Sequence, residues 1–273
     1  MTDATGQALH HLSPAATWLG AAFARPKVIA VVCVVVLAGL GWSILGLQAA
    51  GALDVLCQAM PGNGSVAVIA GMWCAMTLAM MLPSAAPMIL TYAEIADTAA
   101  RKGEPVVSPF AIAIGYTVVW LGFAVVATVA QIMLTRWSLL DASMIAASGL
   151  FSGAIFIAAG AYQFSVLKQA CLKQCQHPFS FFFVHWKTTP RGVFGLGVKQ
   201  GLYCLGCCWA MMLVMFAVGV MNAIWMAALG IVMGVEKIGA GKRFTHIVGI
   251  ALIAIGVVFV LSSVVAHWPG RRI

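Results

Sequence analysis

Residues 201–235 read GLYCLGCCWAMMLVMFAVGVMNAIWMAALGIVMGV, 35 positions without one charged side chain. As a single helix the stretch would be about 52 Å long, well beyond the roughly 30 Å hydrocarbon core of a bilayer. It therefore reads as two membrane spans joined by a turn near residues 219–222, the second span being short. The rest of the chain agrees. It is 63% hydrophobic and 8% charged, with a mean hydropathy of +1.02. Lipid leaves backbone polar groups only two arrangements, helices or a closed barrel. A barrel would show alternating strands of about ten residues, and these apolar runs are continuous and longer. The expected fold is all-α, a polytopic transmembrane bundle forming one membrane domain.

Working outward, apolar runs at 28–47, from 66 through 88, at 109–134, 142–167 and 244–264 complete about seven spans, with six as the alternative. Residues 1–27 read as a polar cytoplasmic tail, 28–264 as the membrane domain and 265–273 as a short C-terminal tail. Residues 168–191 are the longest polar segment and read as a cytoplasmic cysteine-containing loop. With seven spans and the N-terminus inside, twelve Lys and Arg residues face the cytoplasm and only Arg136, Arg271 and Arg272 face out. This is a clear positive-inside bias. The net charge of +8 then reports topology and anionic lipid contact; no nucleic-acid module is present.

The chemistry starts in the same stretch. On a helix turning about 100° per residue, Cys204, Cys207, Cys208, Met211 and Met215 share a stripe roughly 100° wide. Cysteine and methionine are common core residues. Three cysteines within five positions on one face exceed what packing asks for. Thiolates and thioethers are soft donors that select Cu(I), with Zn(II) behind it. Residues 71–88 read GMWCAMTLAMMLPSAAPM and place Met72, Met76 and Met80 on a second face. Pro83 and Pro87 follow, four apart, and are expected to bend or break the helix and free backbone carbonyls. In the 168–191 segment, CLKQC puts Cys171 and Cys175 one turn apart, with His177 close behind, as two or three further ligands. Asp54, Cys57 and Met60 read as a loop that could receive a soft cation, and His10–His11 as an incidental pair. Glu94, Asp97 and Glu236 are expected on the cytoplasmic side. His177, His185, His246 and His267 sit at span ends or in loops, which argues against haem.

G-x-aromatic-C followed by AMML occurs twice, from Gly71 and from Gly201, which fits an inverted repeat. Gly149/Gly153, Gly197/Gly201 and Gly230/Gly234 are small-residue steps for close helix packing. Three stretches resemble a bacterial family known as a domain of unknown function, whose members are labelled predicted metal-binding integral membrane proteins. They are MWCAMTLAMMLPSAAPM, GAYQFSVLKQACLKQC with its following His177–Pro178, and GLYCLGCCWAMMLVMFAVGVMNAIWMA with its closing Glu236–Lys237. The resemblance implies metal binding in the bacterial cytoplasmic membrane and supplies no reaction.

The leading reading is therefore a membrane protein that binds a soft metal, Cu(I) first, and passes it to or from a donor or acceptor protein. Two other classes fit less of the sequence. One is a membrane thiol–disulfide oxidoreductase using Cys204/Cys207 and Cys171/Cys175. The other is a non-catalytic assembly subunit docking a membrane partner or a second copy through its small-residue faces.

Overall fold

The computed structural model describes residues 26–49, 64–140, 146, 148–220, 222–239 and 241–266. Residues 1–25 of the expected N-terminal tail, which include His10 and His11, the Asp54–Cys57–Met60 loop, His267, Arg271 and Arg272 lie outside them. The described residues form α1 (Pro26–Ala49), α2 (Gly64–Arg101), α3 (Pro109–Arg136), α4 (Gly149–Tyr162), α5 (Val166–Gln176), α6 (Pro178–His185), α7 (Pro190–Val218), α8 (Ala223–Ile238) and α9 (Gly241–Ala266). The protein is all-α. Five helices, α1, α2, α3, α7 and α9, are long and apolar enough to cross a bilayer, and α4 with α5 would make a sixth, bent by 63°. The expected short span is α8, whose 16 residues give about 24 Å.

Local sequence explains where these helices begin and end. Ser108, Ser148, Ser165, Thr189 and Asn222 each accept a hydrogen bond from a backbone N–H of the first helical turn. Pro109 and Pro190 follow their caps, where the missing N–H costs nothing. The split of the 35-residue run falls at Gly219, whose φ of 97° lies in a region other residues avoid.

Helix α7 is the axis: 61% of its span is buried, against 17% for α9, which lies on the outside. Close backbone approach sets its packing on α3. A Cβ at Gly197 would fall 2.2 Å from the Ile112 carbonyl, and one at Gly115 would fall 2.2 Å from that of Phe194. The Gly149/Gly153 step packs α4 on α9, where Gly153 opposes Gly256. Large apolar side chains such as Val35, Val126 and Ile250 point outward, as lipid-facing residues do.

Two expectations change here. Pro83 and Pro87 do not break α2, which runs unbroken from Gly64 to Arg101. Pro83 cannot donate to the Ala79 carbonyl, and the indole N–H of Trp42 on α1 donates to it instead, at 3.1 Å. A neighbouring helix thus meets the need that a break would otherwise expose. The 168–191 segment is also not a loop. It folds as α5 and α6 and the start of α7, and α5 lies along α7 with Lys168 and Leu172 buried.

Candidate metal centre

Cys204, Cys207 and Cys208 are 1–2% exposed, and their sulfurs lie within 4.8 Å of one another. The Cys207 and Cys208 sulfurs are 3.3 Å apart. The helical wheel anticipated this shared face. It could not supply the fourth sulfur, Cys175 Sγ, which α5 carries to 4.0 Å from Cys207 Sγ.

Of the two CLKQC thiols, Cys175 borders the Cys204–Cys207–Cys208 group through its 4.0 Å contact with Cys207. Cys171 packs one turn back, against Gly206, where a Cβ would fall 2.6 Å from its sulfur. His177 is exposed at the joint of α5 and α6 and stands outside the close group of ligand atoms. The reason is geometric: α5 runs along α7, so only side chains on its inner face meet the cysteines.

A cavity of about 20 Å³ adjoins the cluster, lined by Ser84, Met88, Tyr116, Cys175, Gln200, Cys204 and Lys237 among others. That volume suits one small ion or one water. Two thiols and the Met88 thioether border it, a donor set that fits a soft cation. Tyr116 on α3 donates its hydroxyl to the Met81 carbonyl at 3.1 Å and lies 3.0 Å from Cys204 Sγ. Tyr116 thereby couples the two sulfur-bearing helices, α2 and α7, which also meet where the Trp73 and Phe216 rings stand 5.1 Å apart. Lys237 on α8 donates to Cys204 Sγ at 3.0 Å and to Ser84 Oγ at 2.5 Å. Gln200 donates to the Gln174 carbonyl, while its buried Oε1 has no hydrogen-bond partner in the structure.

The methionines of the sequence stripes are buried. Met72, Met76 and Met80 are 0–3% exposed, as are Met211 and Met215. Met211 Sδ already accepts a hydrogen bond from Gln163 Nε2 at 3.0 Å. Met80 faces Gly230 on α8. Among the carboxylates, Asp97 pairs with Arg101 on the surface at 2.9 Å and Glu94 is exposed. Glu236 is instead buried, with Oε2 2.8 Å from the equally buried Lys168 Nζ. Its backbone carbonyl accepts from Gln176 Nε2 at 2.7 Å. Both contacts fasten α5 to α8 beside the cysteines.

Sequence reasoning missed Tyr116, Met88, Gln200 and the inward turn of Lys168 and Lys237, which charge counting placed at the surface. The usable signal was Glu236–Lys237 closing an otherwise charge-free run of 35 residues.

Fold and site together define a multi-pass helical membrane protein with a buried cysteine cluster suited to a soft metal. The chain matches the PpoB2 copper chaperone family over residues 70–259 and belongs to it. That family is described as a copper chaperone, which corrects the resemblance to a domain of unknown function. No curated protein and no solved structure gives a significant match.

Proposed function

We propose that the protein holds Cu(I) on Cys204, Cys207 and Cys208 with Cys175, and hands it to an acceptor protein. The observation that carries this reading is the approach of Cys175 to Cys207 at 4.0 Å, which brings thiols from two helices to one buried point beside an ion-sized cavity. Membership of a copper chaperone family supports copper over Zn(II). Thiolates hold Cu(I) firmly, and thioethers bind it weakly enough to let it go. Met88 is the thioether at the cavity. Met72, Met76, Met80, Met211 and Met215 supply weaker ligands along α2 and α7; Cys171, packed on α7 one turn from Cys175, and the exposed His177 are further ligands on the way to or from the site. The positive-inside bias puts α5 and the Cys204 end of α7 in the cytoplasm, where thiols stay reduced.

The test is metal content of protein purified anaerobically with thiols reduced and challenged with a Cu(I) chelator. Wild type should retain about one or two copper ions per chain, and the variant with Cys204, Cys207 and Cys208 changed to Ser should lose them. Full retention in that variant would remove these cysteines from the site. The same 4.0 Å approach also suits a dithiol that closes to a disulfide. A reversible two-electron couple on Cys175 and Cys207, in protein that retains no copper, would favour that second reading.

A further inference from the structure

Lys237 stands where a metal-binding site would not be expected to hold a cation. It is 6% exposed and lines the same cavity as Cys175, Cys204 and Met88. Its ammonium lies 3.0 Å from Cys204 Sγ and 2.5 Å from Ser84 Oγ. No carboxylate among the described residues pairs with it. Glu236, next to it in sequence, reaches Lys168 instead, at 2.8 Å. A buried lysine normally has a counter-charge. Among the described residues its hydrogen-bond partners are a sulfur and a hydroxyl.

We propose that Lys237 is a specificity-determining residue: a fixed cation that makes the cysteine site select a monovalent soft ion over a divalent one. This inference rests on the soft-metal reading above. A metal about 2.3 Å from Cys204 Sγ sits no more than about 5 Å from Nζ. Repulsion from the ammonium then scales with the ion's charge and is twice as large for a divalent ion. At about 5 Å and an effective dielectric near 20, that extra repulsion weakens divalent binding relative to monovalent by on the order of a hundredfold. Ser84 holds the ammonium at the cavity wall and keeps it from swinging away.

The test compares binding of Cu(I) and Cd(II), both thiophilic, to the full-length protein in detergent by chelator competition. Lys237→Met removes the charge at similar length; Lys237→Arg keeps it. The Met variant should bind both ions more tightly, Cd(II) more so, raising the Cd(II)-to-Cu(I) affinity ratio about a hundredfold, with Arg near wild type. An unchanged ratio in a Met variant that still binds Cu(I) would overturn the proposal and leave the copper reading standing. Wild type that binds no Cu(I) would overturn both. Should the Met variant not fold, Ser84→Ala decides: releasing the ammonium should raise the ratio about tenfold, and no change would count against the proposal.

Discussion

Cutting the buried Lys168–Glu236 pair should uncover the cysteine cluster without touching a single sulfur. At 2.8 Å and an effective dielectric near 20, the Coulomb attraction is about 6 kcal/mol, part of which desolvation of both groups offsets. Removing one partner leaves the other charge buried and alone, and such cuts destabilise by about 3–5 kcal/mol. The loss falls on the seam between α5 and α8, because Glu236 binds α5 twice, through its carboxylate and through its carbonyl to Gln176. Opening of α5 in Lys168→Met should therefore rise by roughly 10² to nearly 10⁴. The readout is alkylation of Cys207, 1% exposed and faced by Cys175 on α5, followed by mass spectrometry of the labelled peptide. The rate should rise by that factor. Replacing both partners, Lys168→Met with Glu236→Met, should return it most of the way, since a buried pair exchanged for apolar groups of similar volume is close to neutral. A single variant that labels at the wild-type rate would refute the reasoning. So would a double variant that labels as fast as the single.

Three further outcomes follow from other contacts. Tyr116→Phe removes the hydroxyl beside Cys204 and should weaken Cu(I) binding about 10- to 100-fold in a chelator competition, with stoichiometry kept. Trp42→Phe should cost about 1 kcal/mol of thermal stability in the wild-type background and much less with Pro83→Ala, which restores a helical donor to the Ala79 carbonyl; a double-mutant cycle measures that coupling. Gly197→Leu places a side chain 2.2 Å from the Ile112 carbonyl and should lower stability by more than about 3 kcal/mol, whereas Gly234→Ala, with nothing within 4 Å of the new Cβ, should shift the melting temperature little.

Much of this protein could be read from its order of residues. A run of 35 positions without a charged side chain, in a chain 63% hydrophobic, belongs in lipid, so the sequence alone demands a helical membrane protein. Helical periodicity depends only on local geometry, so it also placed Cys204, Cys207 and Cys208 on one face. Caps and turns were local in the same way, and Gly219 ends α7 inside the region expected to turn. What failed was whatever depends on a neighbour. The choice between a break at Pro83 and a kink satisfied by a neighbouring helix was not legible, because Trp42, 41 residues earlier, supplies the missing hydrogen bond and is invisible in the local pattern. Lys168 and Lys237 looked like surface charges because charge counting assumes water; only the packing of α5 on α8 gives the first Glu236, and only the packing of α8 on α7 gives the second a cysteine sulfur. Cys175 and His177 are two residues apart and were indistinguishable as ligands. The tertiary structure turns the first toward Cys207 and the second outward. Local chemistry thus determines which residues can bind a metal. The packing of distant helices decides which of them meet, because contacts made across 30 to 150 residues leave no periodicity in the chain.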